Sequence, residues 1–418
     1  MDELLSGLQA VIRAHEPALT QLRRDIHAHP ELSRQERRTT ALVVARLAEL
    51  GGHIHPLPGG TGVIIDFGPH DPRYRVALRA DIDALPITES TGLEYSSTVA
   101  GVAHACGHDI HTAALVGAGI AFASQRAELE RLGLAVRLVF QHAEEAIPGG
   151  AMDILDLGWM DGVDRAYAVH CDPTLDVGEV GLIVGPLTAA CDAVTVELTG
   201  SGGHTSRPHR TQDLTYALAK VVTDVPAALS RRLDPRAGAA LVWGTIRSGN
   251  AANVIPSAGV ASGTLRILDA EAWENAGPLI EELVEEVIAP YGVTAHLTYT
   301  AGVPPVVNDH SAVEALRRGV RFAGAREVQT RQSLGGEDFA WLISRVPGAM
   351  ARLGTRLPGG VTYDLHQGDL VVDERSIRVA AGVLVGAAVA SIDLIDAERA
   401  VNAMPAVSAA VLTSEGAV

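Results

Sequence analysis

The sequence predicts an α/β protein: a mostly parallel sheet, interrupted by an inserted ferredoxin-like βαββαβ unit. Three observations carry this. Strands and helices alternate up to residue 190, apolar strands end repeatedly on Asp, Glu or His, and the pattern changes over 191–299 to strand, helix, two strands, helix, strand. With 418 residues the chain exceeds the size at which one core keeps growing. We therefore expect a first domain formed by 1–190 and 300–418, with 191–299 inserted as a unit that has its own core.

Apolar residues at helical spacing (Leu8, Val11, Ile12, Leu19, Leu22, Ile26) predict a helix over 8–28 that Pro30 ends, and a second helix runs over 34–50 to the Gly51-Gly52 pair. His27 and His29 close the first helix and read as packed groups rather than ligands. Strands follow at 62–67 and 74–79, the second running into Ala80-Asp81-Ile82-Asp83. Further strands at 136–142 and 165–169 deliver Glu144-Glu145 and His170-Cys171-Asp172. The carboxyl ends of strands are where open α/β sheets place their chemistry.

In the insert, strands are expected at 192–198, 240–247, 259–268 and 293–298, with helices at 213–229 and 272–288. A helix at 311–322, a helix opening at 334–340, a strand at 349–354 and a last helix capped by Asp373 and Glu374 complete the chain. The tail from about Glu398 reads as frayed.

One stretch holds more ligand chemistry than a loop or cap requires: His104-Ala105-Cys106-Gly107-His108-Asp109-Ile110-His111, followed by small apolar residues at helical spacing. A buried cysteine is more often an inert hydrophobe, and a lone histidine at a helix start more often a cap. Here both occur together at the mouth of a buried helix. The helix dipole would favour the thiolate of Cys106, so Cys106 and His108 become candidate metal ligands.

Charge and composition limit the alternatives. With 33 basic and 50 acidic residues the net charge is −17, which argues against nucleic acid and anionic membranes as partners. The acidic start lacks the features of a signal peptide, and the apolar run at 383–395 is broken by Ser391 and Asp393. A cytoplasmic protein is expected, in which the three cysteines, Cys106, Cys171 and Cys191, stay free.

Five ligand-type residues now lie at element ends: Cys106, His108, Glu145, His170 and His366. Two four-coordinate divalent ions need eight bonds; with a bridging thiolate these five supply six, and a bridging water or hydroxide supplies two. Zinc, manganese and cobalt all tolerate such mixed donors. The tally leaves Glu144 free as general base for metal-assisted hydrolysis. His204, on a Gly-rich loop of the insert, reads as a donor to a developing oxyanion, and Asn253 and Arg266 as candidates for binding a substrate carboxylate.

The motifs ADIDALP at Ala80, HACGHDIHTA at His104, FQHAEE at Phe140, VHCDP at Val169, GGHTSRPH at Gly202, GGEDFA at Gly335 and LHQ at Leu365 occur in that order. This set resembles the cocatalytic metallopeptidase family of aminoacylases, hippurate hydrolases and plant auxin-conjugate amidohydrolases. The resemblance covers nearly the whole chain. It implies a two-metal catalytic domain and a lid domain that often dimerises, with Cys106, His108, Glu145, His170 and His366 as ligands and Glu144 as base. It also implies that His204 reaches the partner subunit's site; Asn253 and Arg266 match less closely.

Sister branches begin their metal motif with His-x-Asp, where this chain has Asp81-Ile82-Asp83. That departure points to the Cys-x-His branch and leaves the two aspartates to support the ligands. The activity expected is hydrolysis of N-acyl amino acids. A dipeptidase or aminopeptidase would use the same site, and a metal-binding protein without catalysis would leave Glu144 and His204 without a purpose.

Overall fold

The computed structural model describes residues 1–403, and an eight-stranded sheet forms its spine. Its order is His53–Pro56, Val63–Phe67, Leu134–Gln141, Tyr74–Asp81, Arg165–Asp176, Gly348–Arg356, Glu179–Leu182 and Arg326–Gln329. The four central strands, Leu134–Gln141 to Gly348–Arg356, run parallel. Antiparallel pairing is confined to the flanks.

Successive side chains of a strand point to opposite faces, so each strand feeds two cores. Val63, Ile65 and Phe67 join one and Ile64 the other. On the first face pack the helices Asp2–Ala28, His108–Ser124 and Ser376–Asn402, with His310–Ala323 against the last. On the second lie the short helices Gly150–Asp156 and Phe339–Ile343.

The helix Ser376–Asn402 is long and apolar enough to cross a membrane, yet 78% of its most apolar window is buried inside the protein. Its apolarity is that of a core element. Gly319 and Gly386 let it approach His310–Ala323: a Cβ on Gly319 would fall 2.3 Å from the Val383 carbonyl oxygen.

A second sheet, Ala240–Ser248, Ala258–Ile267, Ala190–Thr199 and Thr294–Val303 in that order, is antiparallel throughout. Val194, Val196 and Leu198 face the helices Leu214–Arg232 and Ala276–Ile288, and together they form a separate core.

Several boundaries differ from the sequence reading. The first helix starts at Asp2, and the second at Arg37 because Arg34 takes a left-handed turn (φ 65°). The helix expected at 272–288 divides at Asn275, since Asp269 accepts the Ala272 N–H (2.8 Å) and caps a short first piece. The strand at 165–169 continues to Asp176, and the short strands at 53–56, 179–182, 185–188, 306–308 and 326–329 were not legible.

Neither Asp373 nor Glu374 caps the last helix, whose N-cap is Arg375. Glu374 instead holds Arg24 at two points (2.6 and 2.9 Å), and Asp373 pairs with Arg375. That helix is regular through Glu398 to Asn402, and the rest of the tail, 404–418, lies outside the described residues.

Candidate metal centre

A helix start, a strand end and the loop that carries His366 meet above the parallel strands. The helix His108–Ser124 begins at Gly107, whose φ of 84° and missing side chain let the turn lie on Cys171; a Cβ there would sit 2.7 Å from the sulfur. Cys171 thus packs beneath the helix start.

The strand Leu134–Gln141 leaves the sheet at Ala143, which holds φ 52° and donates its N–H to Glu36 Oε1 (2.8 Å). This bend turns Glu144 and Glu145 out of the strand. His366 also has positive φ (60°) and is anchored by its N–H to the Ala105 carbonyl (2.7 Å). Such backbone strain persists only where the surroundings hold it.

The five predicted ligand residues converge. Cys106 Sγ lies 3.5 Å from His170 Nε2, His366 Nε2 lies 3.2 Å from Glu145 Oε1, and His108 Nε2 lies 3.9 Å from the same oxygen. Donor atoms of Cys106, His108 and His170 fall within 4.8 Å of one another, as do those of Cys106, Glu145 and His366. Cys106 belongs to both groups.

Orientation is set one layer out. His108 Nδ1 faces the Asp83 carbonyl (3.0 Å) and carboxylate (3.2 Å), and His170 Nδ1 faces the Cys171 carbonyl (2.9 Å). Each ring therefore donates its Nδ1 proton and turns Nε2 into the cluster. Burial opposes charge on His108, but Asp81, Cys106 and Asp83 raise it well above the usual imidazole range, so a bound cation would have to displace its Nε2 proton. Asp83 also accepts the Glu145 N–H (3.0 Å), so it orients two donors at once.

The donors fit a pair of divalent cations. His108 Nε2 and Glu145 Oε1 are buried and make no hydrogen bond among the described residues. Two buried ligand atoms 3.9 Å apart without a hydrogen bond are costly, and a cation between them would satisfy both. Sulfur, imidazole and carboxylate together suit a transition metal. His111 is not available to it, because its Nδ1 binds Asp81 (2.6 Å) and its Nε2 accepts the Cys171 N–H (2.9 Å).

Protonation follows burial. Burial, then the Arg352 charge, holds His170 well below the usual imidazole range, in its ligand form. Burial, then Glu337, Glu145 and Asp338, raises Glu144 well above the carboxylate range. The expectation that the helix start favours the Cys106 thiolate is corrected here: burial pushes this thiol up and outweighs the nearby His108. Cations in the cluster would draw it back to the thiolate.

A cavity of about 470 Å³ opens on the cluster, lined by Cys106, Glu144, Glu145, His170 and His366, and by Arg266, Glu337 and Arg352. Arg266, from the inserted unit, thus lines the same cavity as the cluster. His204 and Asn253 do not line this cavity in the same chain. Both are exposed: His204 ends the two-residue strand Gly203–His204, which pairs with Val254–Ile255 just after Asn253, the Asn253 carbonyl accepts the Thr205 N–H (3.3 Å), and His204 Nδ1 accepts from Ser206 (2.8 Å).

Sequence reasoning missed the buried arginine at the base of the site. Arg79 binds Asp81 (2.7 Å), Asp338 (2.8 Å), Glu337 (3.0 Å) and Gln141 (2.9 Å). A lone arginine inside an apolar strand was the signal for it. Arg352 was missed in the same way.

This fold and donor set define the class of metal-dependent amidohydrolases. Residues 77–390 match the model of Peptidase family M20/M25/M40, and the chain belongs to that family. It is 37% identical to the N-acetyl-L-cysteine deacetylase of Bacillus subtilis, over 88% of this chain and 86% of the relative. It is 46% identical, over 87% of its own length, to the Rhodococcus jostii protein named "Putative glutamate--cysteine ligase 2-3", and spans only 45% of that longer relative. Among solved structures, the Bacillus subtilis YXEP protein, a dinuclear metal binding peptidase from the M20 family, aligns with a TM-score of 0.80 and 32% identity, covering 91% of this chain and 99% of that one.

Proposed function

We propose that this chain hydrolyses the amide bond of N-acyl amino acids, releasing a carboxylic acid and a free amino acid. Cys106, His108, Glu145, His170 and His366 hold two divalent ions, of zinc, manganese or cobalt. When bound, such ions polarise the amide carbonyl and make water acidic enough to attack near neutral pH. The name of the deacetylase relative supports an N-acyl substrate.

The observation that carries the reading is the division of labour between adjacent glutamates. Both line the cavity, but Glu145 is in contact with His366 (3.2 Å) and His108 (3.9 Å), whereas Glu144, though near His108, makes no ion pair or hydrogen bond among the described residues. With cations bound beside Glu144, the pKa that burial raises is drawn down, so that its carboxylate takes the proton of the attacking water and the carboxylic acid then passes it to the leaving amine nitrogen. Arg266 meets the amino acid's carboxylate.

Residues 191–299 act as a lid that also pairs two subunits, and through it His204, with Asn253 beside it, reaches the partner's cavity to stabilise the oxyanion. This accounts for an exposed His204 in a short strand that follows a Gly-rich turn. The Glu144→Gln variant tests the core of the proposal. It should bind two metal equivalents by elemental analysis and lose roughly 10²–10⁴ of kcat on N-acetyl amino acids. Wild-type-like turnover would overturn it, and dipeptides assayed in parallel would expose a peptidase.

A further inference from the structure

Five arginines of the described residues are buried, and four have carboxylate partners. Arg23 binds Asp109 (2.6 Å), Arg79 binds Asp81, Glu337 and Asp338, Arg137 binds Asp66 (2.7 Å), and Arg165 binds Glu398. The fifth is Arg352. It is 9% exposed, lines the metal cavity, and makes no ion pair or hydrogen bond among the described residues.

The nearby acids are already engaged. Glu337 holds Arg79 and the Phe339 N–H (2.9 Å), Asp172 accepts from the Thr174 N–H (2.9 Å) and hydroxyl (2.6 Å), and Cys106 belongs to the metal cluster. Burial outweighs the attraction of Asp172, Glu337 and Cys106 and draws the guanidinium's pKa down. A buried cation without a counterion is costly, and natural proteins retain one where a ligand completes it. Its place in the sheet is fixed: Arg352 pairs in register with the candidate ligand His170 on one side and with Gly181 on the other.

We propose that Arg352 binds a second substrate carboxylate, distinct from the one that meets Arg266, so that the preferred substrates are N-acyl amino acids bearing two acidic groups. The second carboxylate comes either from an acidic amino acid side chain or from a dicarboxylic acyl group. Planar two-point recognition of a carboxylate is what a guanidinium does best. The inference rests on the hydrolytic reading above and narrows its substrate class.

The test uses metal-loaded protein and two substrate pairs: N-acetyl-glutamate beside N-acetyl-glutamine, and N-succinyl-methionine beside N-butyryl-methionine. In one pair kcat/KM should favour the acid by roughly 10-fold or more, which identifies the source of the carboxylate. Arg352→Met should bring that ratio to about one, and Arg352→Lys, which keeps charge but loses the fork, should lower it in part. Calorimetry with glutarate should show binding that weakens by a similar factor in both variants.

Neutral and acidic substrates cleaved equally well by wild type, or both ratios unmoved in the variants, would overturn the proposal while leaving hydrolysis intact. If no acyl amino acid is cleaved yet glutarate binding still depends on Arg352, the hydrolytic reading fails and the carboxylate site stands.

Discussion

The sulfur of Cys106 lies 3.5 Å from Nε2 of His170, joining the turn before one helix to the middle of a parallel strand. A thiol pushed up by burial and an imidazole pushed down by it make a neutral pair that a metal converts into a thiolate and a ligand. Cys106→Ala should therefore reduce bound metal from two equivalents to at most one. In the unaltered protein, chelation should lower the melting temperature, and zinc, manganese or cobalt should restore it as ligand linkage requires. A melting temperature indifferent to all three ions would contradict the assignment.

Asp83 holds His108 and the Glu145 N–H together without entering the cavity itself. Asp83→Ala should weaken metal affinity roughly 10–100-fold while leaving the circular dichroism spectrum unchanged. Competition with a chromophoric chelator would measure this, and unchanged affinity would remove Asp83 from the supporting set.

The parts of the site that were legible are those where a ligand type interrupts an apolar pattern. Cys106 and His108 open a helix, and Glu145 follows a strand, that the hydrophobic periodicity reveals; His170 stands at the end of the apolar run, although the strand continues to Asp176, and His366, in a loop, is found from its motif rather than from periodicity. Arg79 and Arg352 lie inside strands; the pattern shows an arginine there but not that Glu337 and Asp338 reach Arg79 from far along the chain, nor that Arg352 is left without a partner among the described residues. The short strands near 180 and 326 escaped for a related reason: each is four residues long and is stabilised by a neighbour distant in sequence. That His204 is exposed and apart from its own chain's cavity was not legible from pattern; only the family resemblance implied a role for it in a partner's site.

Glu36 accepts the N–H groups of Arg34 and Ala143 on one oxygen, while its other oxygen is buried without a partner. Burial pushes its carboxyl up to about 7. A carboxyl raised in the folded state contributes stability that is full below the unfolded value near 4.5 and is lost as pH rises through about 7. Glu36→Gln, neutral at every pH, should flatten that decline by up to about 3 kcal/mol between pH 5 and 8. Denaturant titrations at several pH values would reveal it, and parallel profiles for the two proteins would rule it out.

His204 is exposed and apart from the cavity of its own chain, whereas Glu144 lines that cavity. If each site borrows His204 from its partner, the variants Glu144→Gln and His204→Ala should each be nearly inactive alone. Mixed subunits then hold one site with both residues intact. Equal mixing and subunit exchange should restore about a quarter of wild-type activity, since half of the dimers are hybrids and each hybrid has one working site of two. Hybrids shown by mass spectrometry to form, yet inactive, would place His204 in the site of its own chain.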